Sequence, residues 1–98
     1  MAKEDSFVSI YDGMNYNYGK LEGIMGDLYQ YLQDNPADEI ARNILDRLGS
    51  IGQNMLFSQK EFTSAYGDPS LKDSLIDNLD SKAEALKKAQ EETKAKSR

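Results

Sequence analysis

No cysteine, histidine or tryptophan occurs in this chain, and only two prolines interrupt it. Without cysteine there are no disulfides, no zinc-thiolate site and no thiol nucleophile. Without histidine the chain lacks the usual general base near neutral pH and the commonest transition-metal ligand. Ser50 and Ser58 therefore have no imidazole to activate them, and Gly49-Ser50-Ile51-Gly52 lacks the spacing and the lysine of a phosphate-binding loop. No catalytic residue, metal-ligand set or cofactor site is found, and a non-enzymatic role is expected. Long hydrophobic runs are missing too: nothing approaches the roughly 18 apolar residues of a membrane span, so no membrane insertion is expected. The polar, mixed-charge start Met1-Ala2-Lys3-Glu4-Asp5-Ser6 has no apolar signal core. A cytoplasmic location is the expectation, with signal-less export left open.

What is present suits one modest core. The 98 residues are 39% hydrophobic and 30% charged, with a formal net charge of -5. Residues 1–81 hold 14 acidic and 6 basic side chains, whereas residues 82–98 hold 3 and 6. An acidic body argues against direct binding along nucleic-acid phosphates, which needs clustered Lys and Arg. No internal repeat of 20 to 50 residues is evident.

Two turn signals divide the chain into three helical segments. In Asp34-Asn35-Pro36-Ala37-Asp38-Glu39, Asn35 suits an N-cap and Pro36 the first helical position. In Tyr66-Gly67-Asp68-Pro69-Ser70, Gly67 suits a left-handed C-terminal residue, with Asp68 or Ser70 capping the next helix. The first segment carries Phe7, Tyr11, Met14, Tyr18, Leu21, Met25, Leu28 and Leu32 at alternating spacings of four and three, the seam of shallowly crossed helices. Ile10, Ile24 and Tyr31 line one flank of that seam and Val8 and Tyr29 the other, which makes the apolar face wider than one neighbour requires. The second segment repeats the spacing with Ala37, Ala41, Ile44, Leu48, Ile51, Met55, Phe62 and Tyr66, apart from the polar Ser58 and Gln59, and Ile40, Leu45, Leu56 and Phe57 widen it. Gly49 and Gly52 there predict a bend, a break or a close helix crossing. The third stripe, Leu71, Leu75, Ile76, Leu79, Ala83, Leu86 and Ala89, is thinner.

The predicted fold is all-α: a small antiparallel bundle or extended hairpin of three helices near 5–33, 36–66 and 70–89, with the first two forming the main seam. Residues 1–89 make a single domain. Residues 90–98, without an aromatic or branched aliphatic side chain, are predicted as a disordered, flexible basic tail.

The stretch from Tyr16 to Leu32 holds the first candidate contact site. Gly19, Gly23 and Gly26 lie opposite the apolar seam, where three exposed glycines cost a helix roughly 3 kcal/mol. A glycine row lets another backbone approach closely. Tyr16, Tyr29 and Tyr31 beside it supply contact area with a polar tip. The expected protein-binding set is thus Tyr16, Gly19, Gly23, Gly26, Tyr29 and Tyr31. A second constellation, Asp73, Asp77, Asp80 and Glu84, forms an acidic stripe along the third helix. It is either a docking surface for a basic partner or a solvated outer face.

In size the chain resembles the small type VII secretion substrates, though it lacks their Trp-x-Gly turn. The turn Asp34-Asn35-Pro36-Ala37 between two amphipathic helices resembles that of type III secretion needle subunits, from which the third segment departs. The resemblance implies a small exported helical subunit and assigns no functional residue. The leading expectation is a protein-protein interaction module that self-associates through its first helix, so that its partner is itself or another protein. The alternatives are a monomeric acidic inhibitor, of the kind phages and mobile elements encode, that binds a basic or nucleic-acid-binding target, and a secretion-system substrate or needle-like subunit.

Overall fold

The computed structural model describes residues 3–96, with side chains from 6 to 93. Three helices account for nearly all of them: α1 (Lys3–Asp34), α2 (Glu39–Tyr66) and α3 (Lys72–Lys96). At 1.5 Å rise per residue, α1 alone runs about 48 Å, close to the 51 Å long axis of the molecule.

The α1–α2 turn tightens differently from the expected cap. Asn35 accepts the Asp38 amide, its own side chain donates to the Tyr31 carbonyl, and Asp38 Oδ1 takes the Ala41 amide at 3.0 Å. Asp38, not Asn35, is therefore the N-cap, and α2 starts three residues later than predicted. Pro36 stays in the turn, its carbonyl accepting from the Arg42 guanidinium.

At the second turn Asp68 is the capping residue, taking both the amide and the hydroxyl of Ser70 at 3.0 Å. Gly67 is not left-handed: its φ is -70°. Closeness explains it instead, because a Cβ there would lie 2.6 Å from the Thr63 carbonyl oxygen. Helix α3 also passes its predicted end at 89 and continues to Lys96. The expected tail thus begins inside a helix, where Gln90 crosses Gly49 and Thr93 lines a cleft with Tyr29. Residues 97 and 98 lie outside the described residues.

Helix α2 is the middle element, antiparallel to both neighbours. Phe7 stacks on Phe62 at one end, with centroids 5.2 Å apart, while Tyr31 reaches Asp38 at the other. No α-carbon of α1 comes within 8 Å of one in α3 among the described residues, and α2 packs as extensively on α3 as on α1. The α1–α2 seam is therefore not the main one. The core is Tyr18, Leu21 and Met25 from α1, Leu45 and Leu56 from α2, and Leu79 and Leu86 from α3.

The buried face of α2 is Ala41, Leu45, Gly49, Gly52, Leu56, Gln59 and Thr63. This corrects the predicted row, since Ile44 and Ile51 are 43% and 49% exposed. Two helices converge on the inner face, and small residues let them in: a Cβ at Gly52 would stand 2.8 Å from Leu86 Cδ2, 3.4 Å from Leu21 Cδ2 and 3.5 Å from Tyr18 Cε1. The glycines serve a close crossing, and α2 runs unbroken through them.

Candidate interaction surface

The two polar residues deepest in α2 are satisfied within the fold. Gln59 donates to Asn15 Oδ1 at 2.7 Å, and the Thr63 hydroxyl donates to the Gln59 carbonyl at 2.8 Å. Tyr18 is buried, its phenol pushed up to about 12 by desolvation with Glu22 adding to the effect. Lys82 of α3 places its ammonium 5.8 Å from that ring centre. Gln53 and Lys60 tie α2 to α3, through the Ala83 carbonyl at 3.1 Å and the Asp80 carboxylate at 2.9 Å.

The structure divides the expected Tyr/Gly set. Tyr16 is 65% exposed, with Lys20 Nζ 4.7 Å over its ring. A Cβ on Gly19, Gly23 or Gly26 would meet nothing within 4 Å among the described residues, so the described fold leaves this row open. Tyr29 instead turns inward. Its hydroxyl is buried without a hydrogen bond of good geometry, beside Thr93, whose own hydroxyl donates to the Ala89 carbonyl. Burial raises the Tyr29 pKa, the Thr93 hydroxyl pulls it the other way and Glu92 adds to the rise. Tyr31 donates to Asp38 Oδ2 at 2.7 Å, a bond that raises the tyrosine's pKa. The same bond helps lower the Asp38 carboxyl, which the Ala41 amide lowers most. Tyr29 and Tyr31 thus have structural roles, and they stand on different sides of α1.

The acidic stripe is exposed along its length, with Asp80 engaged by Lys60. Among the described residues no three His, Cys, Asp or Glu side chains come together as a metal site, and no helix is long and apolar enough to cross a membrane. An open cleft of about 500 Å³ lies where α1 ends, lined by Tyr29, Leu32, Arg42 and Glu92 among others. It gathers one cation and one carboxylate over an apolar floor.

A further uncovered apolar surface lies on the α1–α2 pair. Helix α3 packs on one side of the α1–α2 pair and leaves the other side open. There Met14 and Asn17 of α1 and Ile51, Asn54, Met55 and Ser58 of α2 line one shallow groove to which α3 contributes nothing. Ile10 and Ile24, seven residues to either side of Asn17, are 47% and 52% exposed, and Ile44 and Ile51 add to the same side. The wide flank of α1 was legible in the sequence. The contribution from α2 was not, because heptad spacing places Ile44 and Ile51 in the seam. Compared with protein-family models, curated proteins and solved structures, the chain matches none.

Proposed function

We propose that this chain is a non-enzymatic helical interaction module that associates with itself. The observation that carries this reading is the uncovered two-helix face: four half-exposed isoleucines on one side of a small bundle, around a groove floored by Met14 and Met55, give an apolar surface of the kind that marks an interaction site. Burying them from two copies contributes on the order of 8 kcal/mol before costs. Association itself costs roughly 4–15 kcal/mol. Assembly is therefore concentration-dependent rather than permanent.

Light scattering over a hundredfold concentration range tests this. The mass should rise above 11.0 kDa with concentration, and moderate salt should leave the trend in place because apolar burial is little screened. A constant monomer mass would refute self-association. It would favour the second reading, a monomeric acidic protein that docks a basic target, which the exposure of Asp73, Asp77 and Glu84 supports.

A further inference from the structure

The open α1–α2 face has a symmetry that its residues spell out. Its outermost row on α1 is Ile10, Asn17 and Ile24, and on α2 it is Arg47, Asn54 and Glu61, each stepping by seven. Asn17 and Asn54 stand at the same height, since both line one groove. Each row is balanced about its asparagine: isoleucine on both sides on α1, opposite charges on both sides on α2. All six side chains are exposed.

We infer that this face docks a second copy of the chain about a two-fold axis that crosses the helices at Asn17 and Asn54. This rests on the self-association proposed above and names its geometry. Turning one copy over about that axis sets α1 antiparallel to α1 and α2 antiparallel to α2. Ile10 then meets Ile24 of the second copy, and Arg47 meets Glu61 of the second copy, each pair formed twice. Asn17 and Asn54 each face their own counterparts. An asparagine amide both donates and accepts, so it pairs with itself across a two-fold, and the Asn17 pair between isoleucines fixes register.

Charge favours a second copy as the occupant. The chain as a whole carries -5, so face-to-face docking of two copies requires a face that does not repel itself. This one carries Arg47 and Glu61, and Lys20 and Asp27 at its border, which together cancel. From Ile10 to Ile24, the span that the two-fold pairs, the face runs about 21 Å and spans two helices, about 20 Å. That is about half of the roughly 800 Å² per partner of a standard stable interface, in keeping with a concentration-dependent contact.

The chain has no cysteine, so single-cysteine variants report the geometry without background. Asn17→Cys lies on the axis and should oxidise to a cross-linked dimer, whereas Gly23→Cys, on another side of α1, should stay uncross-linked. Arg47→Glu should weaken association about tenfold, and adding Glu61→Arg should restore it. All these positions are exposed, and circular dichroism confirms that each variant folds. If the parent chain associates but Asn17→Cys does not cross-link, or the double charge swap does not restore affinity, this docking geometry is overturned while self-association stands. Cross-linking of Gly23→Cys alone would move the interface to the glycine row. A parent chain that stays monomeric refutes the self-association itself.

Discussion

Two glycine-to-alanine substitutions, one methyl group each, should differ in their effect on stability, one gaining and the other gaining nothing or losing. Alanine is about 1 kcal/mol better than glycine inside a helix. At Gly23 a Cβ meets no atom within 4 Å, so Gly23→Ala should realise that gain and raise Tm by about 4–8 °C. At Gly52 the same carbon would lie 2.8 Å from Leu86 Cδ2, against the roughly 3.5–4.0 Å of good carbon contact. Leu86 is 6% exposed, and Leu21 and Tyr18 close the other side of the site, so the methyl has little room to retreat. Overpacking of this kind costs about 1–3 kcal/mol. Subtracting the propensity gain leaves Gly52→Ala neutral to about 2 kcal/mol destabilising. Urea denaturation followed by circular dichroism measures both variants. Pairing Gly52→Ala with Leu86→Ala sharpens the test: truncating Leu86 removes the clash, so the double variant should lose less than the two single losses added together. If Gly52→Ala stabilises as much as Gly23→Ala, the close crossing at Gly52 is not real and the reasoning fails.

Asn15→Ala should destabilise by about 1–3 kcal/mol, because it strips the buried Gln59 amide of its partner; replacing both residues by leucine should recover most of that loss in the same urea assay. The Tyr18 phenol, raised to about 12, contributes stability that is whole below pH 10 and lost as pH rises through about 12, so thermal melts of Tyr18→Phe should show a flatter alkaline limb than the parent chain. Asp38 has its carboxyl lowered from 3.8. Its contribution is present above that value and lost as pH falls through the lower folded-state pKa, so Asp38→Ala should lower Tm at pH 7 and reduce the acid dependence. Leu79→Ala, at a site 1% exposed, should cost about 2–5 kcal/mol, detectable as a shifted urea midpoint.

Much of the fold was legible because its signals are local. The seam of α1 follows directly from its alternating spacing, and Tyr18, Leu21 and Met25 are buried as that spacing requires. Both turns lie where Pro36 and Gly67 put them. The caps shifted because Asn35 and Asp38 both offer a side-chain oxygen within one short turn, and Asp38 is the one whose carboxylate reaches the Ala41 amide. The end of α3 was misplaced for another reason. Gln90 and Thr93 are polar and predict nothing apolar to bury, yet they fill space that Gly49 and Tyr29 leave open.

The buried face of α2 departs from its heptad row for a physical reason that bears on function. Heptad counting ranks positions by apolar side chain, which suits a helix with one neighbour. A helix flanked on two sides has its buried line between its neighbours, and there small residues let both of them come close beside the buried leucines Leu45 and Leu56. Gly49, Gly52, Gln59 and Thr63 occupy that line. The branched residues Ile44 and Ile51 are consequently displaced toward the edge of the α1 contact, half out of the core. Had α3 been absent, these isoleucines would have formed the centre of an ordinary hairpin seam. Its presence pulls the packing axis of α2 toward the glycines and turns that apolar row outward beside Ile10 and Ile24. The same glycines that let α3 close onto α2 thereby create the open face on the opposite side, so substitutions that loosen α3, Gly52→Ala among them, should weaken self-association as well as the fold.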